Sequence, residues 1–363
     1  MEIGLKRVAA SFVLLFAIAL VPVAAFAQDF KIETVARTLE YPWALSFSTQ
    51  GRLYFTGRGG KFSRFDPKSG LVSAITGLPA PRAEGEAGTL GMALDPDFAE
   101  NGLVYICYSM EDANGGAANR LSRFMLVSQQ LTAEMVLFDD MPGARYHNGC
   151  RVVMAPDGQH LFFSMGDAGR ADGAQDLNYR GGKIFRLNLD GSVPADNPFK
   201  GSAVWSLGHR NPLGLRFRPT EIPGGTDELW STEHGPDTQD ELNLIVKGGN
   251  YGWPTCRATD KCPGIENYHA AKAQYDRNDT VATSDLIFYD GKAFPQWKDS
   301  ILFVTLKTGR LYRITLDGDK VAKSEILIEN KYGRLRSIAE GPDGAIYIST
   351  DNGEDVILRL SPQ

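Results

Sequence analysis

Apolar residues recur at every second position in short runs along this chain, and the runs fall into one repeated unit. "QGRLYFTGRGGKFSRFDPKSG" begins near Gln50, and "NGLVYICYSM" with "NRLSRFMLV" begins near Asn101. "DGQHLFFSMGDAG" with "GGKIFRLNLDG" starts near Asp157, and "DELWSTEHG" with "DELNLIVKGG" near Asp227. "DSILFVTLKTGRLYRITLDG" near Asp299 and "DGAIYISTDNGEDVILRLSP" near Asp343 complete the series. Each unit has a turn, a short apolar strand, a polar loop and a second alternating strand. Further strand-like pieces such as "YPWALSF", "GTLGMALDP", "GLRFRP" and "RSIAEGP" lie between the units. The repeat spacing of about 44 to 72 residues, widest where loops are inserted, is that of a propeller blade. The pattern predicts an all-β fold, a six-bladed β-propeller with four-stranded antiparallel blades. "FKIETVA", Phe30 to Ala36, is the expected closing strand of the last blade. Outside the first 27 residues, no apolar 3.6-residue period persists over three turns.

Those first residues change the picture of where the chain works. Lys6 and Arg7 precede an apolar run of roughly fifteen residues that ends in Ala25-Phe26-Ala27. Residues 1–27 therefore read as a cleaved export signal, with residues 28–363 the single mature domain, expected in the periplasm. No later stretch approaches the ~20 apolar residues of a membrane span. Loss of Lys6, Arg7 and Glu2 would move the formal charge from −6 to −7, which argues against nucleic acid as a partner. Monomer and dimer both stay open. In an oxidising compartment the four cysteines suggest disulfides. Cys256 and Cys262 close a short loop that an unstrained bridge would stabilise by roughly 2–2.5 kcal/mol. Cys107 and Cys150 read equally as a pair or as two buried thiols.

Propeller loops at one end of the channel converge, so the loops leaving the first strand of each unit are where chemistry is expected. His147 lies in "RYHNGC" and Asp167 in "SMGDAG"; Arg210 and Asn211 lie in "GHRNPLG". Lys307 occupies "TLKTGR", and Arg334 and Arg336 occupy "GRLRS". Taken singly, each has an ordinary structural reading: a loop histidine, a solvated Arg-x-Arg face, a Gly-Asp turn. His209 reads as an anchor for its own turn. Together they describe a site. A histidine with a neighbouring carboxylate is a general base held in one tautomer. Arginines and a lysine on one face of an acidic protein call for an anionic ligand, and guanidinium forks suit carboxylates. "EHGPDTQDELNLIVKGGNYGWP", Glu233 to Pro254, adds Glu233, Asp237, Asp240 and Glu241 with tight turns at Gly235-Pro236 and Gly252-Trp253-Pro254. Carboxylates and exposed carbonyls in irregular loops suit Ca2+.

These motifs, in order along nearly all of the mature chain, resemble the soluble quinoprotein sugar dehydrogenases. That glucose/sorbosone dehydrogenase-like family uses pyrroloquinoline quinone (PQQ), and the chain looks most similar to its periplasmic aldose sugar dehydrogenase branch. "LGMALDPDF", "HNGCR", "GGKIFRLNLDGSVPADNPF", "GHRNPLGL" and "FYDGKAFPQWK" carry the likeness beside the motifs above. The resemblance implies oxidation of aldoses at the anomeric carbon to lactones, with electrons passed to an external acceptor. His147 would be the base, Asp167 would orient it, and Arg210 with Asn211 would meet the quinone. Lys307, Arg334 and Arg336 would hold the cofactor's carboxylates. Carbonyls of Gly235 and Pro236 would bind the Ca2+ at PQQ, while Glu241 and the Tyr251 carbonyl match a second, structural Ca2+.

The chain departs from the family's pattern in several places. Glu86, in "EGEAGTLGM", stands where many members have glutamine against the cofactor, a repulsive choice unless it is paired. Tyr146 precedes the base where glucose-specific members carry aspartate. Cys150 replaces a glycine, Leu213 a glutamine, and Ser337 a common aspartate. Two rivals have different signatures. A calcium-dependent lactonase-type hydrolase would hold its metal mainly with Glu, Asn and Asp side chains in the channel and would not need the cationic cluster. A non-catalytic sugar- or protein-binding propeller would have lost the base or the cations.

Overall fold

The computed structural model describes residues 30–219, 227–259, 261–276 and 278–363. The expected export signal, residues 1–27, lies outside the described residues. Six separate four-stranded antiparallel sheets are present, as the repeat predicts. Blade 1 runs Pro42–Phe47, Leu53–Gly57, Lys61–Asp66 and Leu71–Ile75; blades 2 to 5 repeat the meander in chain order. Blade 6 takes three strands from the C-terminal end and its outermost from Phe30–Leu39, which pairs with Asp355–Pro362 from Phe30 opposite Pro362 to Leu39 opposite Asp355. The first and last described strands are thereby hydrogen-bonded into one sheet. Among the described residues helix is confined to short pieces, Phe98–Asn101, Ala171–Gln175 and Pro295–Trp297. Among the described residues no helix is long and apolar enough to cross a membrane.

Alternation explains the packing. Each strand turns one set of side chains to the blade before it and the other to the blade after it, so the apolar core is a series of inter-blade layers. Between blades 5 and 6, for example, Phe294 and Trp297 stack with ring centroids 4.2 Å apart, and Phe30 of the closing strand sets its edge against Trp297. Fully burying one such side chain contributes about 1.5–3 kcal/mol. The first strands of the six blades, Pro42–Phe47, Thr89–Leu94, Val152–Met154, Pro212–Phe217, Thr283–Phe288 and Leu335–Glu340, contact one another in sequence around a central channel. All six run the same way, so the loops before each first strand and after each second strand meet at one end.

Both disulfides are formed. Cys256–Cys262 closes the loop anticipated for it, and Cys107 pairs with Cys150. The open question of the second pair is thus settled as a bridge. It ties Leu103–Glu111 of blade 2 to the segment that enters blade 3, three residues after His147. Closing a loop with a separation of 43 residues restricts the unfolded chain by about 4 kcal/mol in the chain-entropy account.

Candidate active site

The converging loops bring His147, Asp167, Arg210 and Glu86 together. His147 sits at φ +59°, a left-handed conformation that costs a residue with a Cβ roughly 1–2 kcal/mol. Its backbone N–H donates to Glu86 Oε2 at 2.8 Å, which helps hold that turn. Gly166 makes room beneath it: a Cβ there would lie 2.2 Å from the His147 carbonyl oxygen and 2.8 Å from Asn211 Oδ1. The ring Nδ1 is 2.7 Å from Asp167 Oδ1. That oxygen also accepts the Gly169 N–H at 2.8 Å, while Oδ2 accepts the Trp253 indole N–H at 2.8 Å.

Burial alone would raise the Asp167 carboxyl. The hydrogen bond and charge of His147, with the Gly169 and Trp253 donors, outweigh it and hold the group below the ordinary carboxylate value. An ionised Asp167 is an acceptor only, so in the neutral form of His147 the proton sits on Nδ1 and the lone pair on Nε2.

Arg210 faces this dyad from the entry to blade 4. Its guanidinium lies 5.5 Å from the centre of the Trp253 ring, and its Nη1 and Nη2 make only long contacts, 3.4 and 3.5 Å, with the carbonyls of His234 and Pro236. Nε is buried without a partner. Burial lowers its pKa against the opposing pull of Asp167, Glu233, Asp240 and Glu86. Asn211 is fully buried; its Oδ1 accepts the Gly149 N–H at 3.2 Å, and its Nδ2 has no partner among the described residues. Two buried donors without acceptors are what an absent electron-rich ligand would leave behind. The donor set therefore fits an anionic quinone.

The remaining cations are placed differently. Arg336 is buried, ion-paired with Asp351, and within 5.8 Å of the Trp43 ring centre. It shares a small cavity at the top of the channel with Trp43, Glu86, Asn148, Gly149 and Leu213. Arg334 is half exposed, with Asp351 3.9 Å away. Lys307 is half exposed and paired with Asp279. Glu86, repulsive on paper, has the His147 N–H on one oxygen and lies in the field of Arg210 and Arg334.

The acid-rich stretch divides its work. Glu233 accepts from His209 Nδ1 at 2.8 Å and from the Arg210 backbone; His209 is fully buried with Ser206 on its other nitrogen, the turn anchor anticipated for it. Asp240 accepts the Gly235 N–H at 2.9 Å and, on its second oxygen, Thr280 Oγ1 with the N–H groups of Val281 and Ala282. Because the Lys307 N–H bonds to the Val281 carbonyl, Asp240 holds the loop beside Lys307 as well as the Gly235 turn. These two carboxylates are committed to the fold.

Glu241 is half-buried close to Glu233, and desolvation followed by that neighbouring charge pushes its carboxyl up to about 8. It accepts from the Ala258 N–H and from Asn243. It borders one small cavity with Gly235, Pro236 and Tyr251. Among the described residues no three His, Cys, Asp or Glu side chains come together as a metal cluster. The oxygen set offered here, carbonyls with one carboxylate, suits a hard cation.

Three contributors escaped the sequence reading. In the sequence Trp253 is only part of a tight turn, yet its indole is a main support of Asp167. The Tyr179 hydroxyl donates to the Asp167 carbonyl at 3.0 Å, and Trp43 fills the channel beneath the site. No local signal marks Trp253 or Trp43, because their partners lie in other blades; Tyr179 lies twelve residues from Asp167 in the same loop.

A propeller whose loops assemble a histidine–aspartate dyad opposite two buried donors without partners, one on an arginine and one on an amide, is an enzyme-like scaffold, and comparison with known proteins makes this specific. The chain belongs to the Glucose / Sorbosone dehydrogenase family, whose pattern matches residues 39–359. It is 31% identical to aldose sugar dehydrogenase YliI of Escherichia coli (strain K12), covering 92% of this chain and 93% of that one. It is 29% identical to quinoprotein glucose dehydrogenase B of Acinetobacter calcoaceticus, over 97% and 94% of the two chains. Among solved structures, the PQQ-bound form of aldose sugar dehydrogenase from Streptomyces coelicolor superposes with a TM-score of 0.80 at 32% identity, over 93% of this chain and 99% of that one.

Proposed function

We propose that this protein is a periplasmic PQQ- and calcium-dependent aldose sugar dehydrogenase that oxidises the anomeric carbon to a lactone and passes electrons to an external acceptor. The observation that carries the reading is the His147–Asp167 dyad facing Arg210, whose Nε and the neighbouring Asn211 Nδ2 are buried without partners. The quinone-bearing relatives support it. PQQ, when bound, supplies a two-electron acceptor for hydride. Arg210, Asn211, Lys307, Arg334 and Arg336 would hold it, and the carbonyls of Gly235 and Pro236 would ligate its Ca2+. Glu241 and the Tyr251 carbonyl would take a second, structural Ca2+.

The chain's own part is proton handling and field. Nε2 of His147 accepts the anomeric hydroxyl proton, and Asp167 stabilises the imidazolium without taking the proton itself, because both of its oxygens are already occupied by donors. Arg210 provides a fixed positive charge in a partly buried site, where it acts more strongly than it would in water. The channel side chains, Trp43 with Arg151 and Arg336, do not form the carboxylate-and-amide metal cage of the lactonase reading.

The test is dye reduction by the purified mature chain with a panel of aldoses, before and after adding PQQ and Ca2+. Activity that needs both additions and is lost in His147→Gln is the expected result. PQQ binding without turnover of any aldose would overturn the substrate assignment, and failure to bind PQQ would overturn the reading as a whole.

A further inference from the structure

Below Trp43 the channel changes character. Arg151, its side chain only 3% exposed, sends Nε to the Leu213 carbonyl at 2.8 Å and Nη1 to Asp285 at 3.3 Å. Its Nη2 is buried with no partner. Its guanidinium lies 4.3 Å from the Trp43 ring centre, so Trp43 is in contact with both Arg151 and the Arg336 of the upper cavity. One blade further on, Arg216 reaches across to the Leu286 carbonyl at 3.4 Å and has no ion pair among the described residues. Both arginines line a cavity of about 190 Å³ at the lower end of the channel, with residues such as Ser46, Met92 and Phe217. Among the described residues they are its only charged lining residues, and no carboxylate borders it. Among the described residues the ion pairs of this column of arginines are Arg336 with Asp351 and Arg151 with Asp285; Glu86 borders only the upper cavity, and Arg216 has none. A buried guanidinium donor without an acceptor, beside a second cation without a counter-charge, is a costly arrangement unless something negative completes it.

We propose that this lower channel cavity binds a small inorganic anion, a halide or a compact oxyanion such as sulfate or phosphate, between Arg151 and Arg216. Guanidinium forks match oxyanion geometry, and a channel lined by one sign of charge concentrates counter-ions. The site is distinct from the sugar site: neither arginine touches the His147–Asp167 dyad, and Trp43 lies against Arg151 on the side of Arg336. The bound ion supplies the missing negative charge to the ring of first strands and so stabilises the folded propeller.

The full mature chain is tested with bromide, chloride and sulfate as probes. Crystals soaked in sodium bromide should show anomalous density beside Arg151 and Arg216. The thermal midpoint should rise saturably by about 2–4 °C with chloride or sulfate, relative to the same ionic strength of a sulfonate salt too bulky for the cavity. Both signals should vanish in Arg216→Met. A wild-type crystal without bromide density, with a midpoint that follows ionic strength alone, would overturn the proposal. So would bromide density unchanged in Arg216→Met, and if that variant does not fold, the wild-type density decides alone. Neither readout uses sugar turnover, so the proposal stands or falls separately from the dehydrogenase reading.

Discussion

The rim of the channel has two unlike sides. On one, His147, Asp167 and Trp253 are joined by hydrogen bonds of 2.7 and 2.8 Å before any ligand arrives. On the other, Lys307 and Arg334 stand half exposed, and Lys307 and Arg336 already hold protein carboxylates. The difference follows from what each side must do. A base is useful only in one tautomer and one orientation, so the fold fixes it in advance. Cations that receive a multiply charged ligand need interim partners, because a buried unpaired charge would destabilise the empty protein. On the proposed reading, binding on the second side would exchange Asp279 and Asp351 for ligand oxygens.

Breaking the fixed side has the largest expected effect. His147→Gln should lower kcat about 10²–10⁴-fold while leaving the PQQ affinity, read by absorbance titration, within about threefold.

On the exchanging side, Asp351→Asn should destabilise the fold by about 3–5 kcal/mol at neutral pH in urea unfolding, since Arg336 is left buried without its partner. The same residue predicts an acid limb. Burial would raise the Asp351 carboxyl, but Arg336, then Arg334 and Arg58, hold it below the ordinary carboxylate value. A folded-state pKa below the unfolded one contributes stability that is present above about pH 4 and lost as pH falls through the folded value. Urea midpoints measured against pH should show this loss in the wild type and a flatter limb in Asp351→Asn.

A subtler cut sharpens the contrast. Trp253→Phe keeps a ring beneath Arg210 but removes the indole donor, and should lower kcat about 10-fold with little change in KM. In an Asp167→Asn background the same change should cost almost nothing further, because the donor then has no carboxylate to hold. Equal losses in both backgrounds would reduce Trp253 to a packing residue. The smallest effect is on stability in Lys307→Ala: an exposed ion pair predicts a change within about 0.5 kcal/mol, against a loss of PQQ affinity of about 3–10-fold.

Much of the fold was legible beforehand, for a physical reason. Strand alternation and turn residues are local properties, and six copies of the same local pattern admit few closed arrangements. Even the closing strand could be read from "FKIETVA", though the pairing extends to Leu39. The site was legible only as a set of positions. Glu233 and Asp240 looked like cation ligands because acidic loops usually are; their actual partners, His209, Thr280, Val281 and Ala282, come from other strands and loops. Trp253 and Asp167 lie 86 residues apart, and nothing local to either announces the other.

The sequence by itself determined the repeat, the all-β architecture and the types of group carried by the converging loops. Those properties depend on side-chain period and turn chemistry, which each segment holds alone. Only the tertiary structure decided that Cys107 pairs with Cys150, that Arg336 is engaged while Arg210 keeps an unpaired donor, and that Arg151 and Arg216 face an uncompensated cavity. The disulfide and the cavity join residues of different blades and exist only once one blade is packed against another, whereas Arg336 meets Asp351 within blade 6, where its first two strands pair.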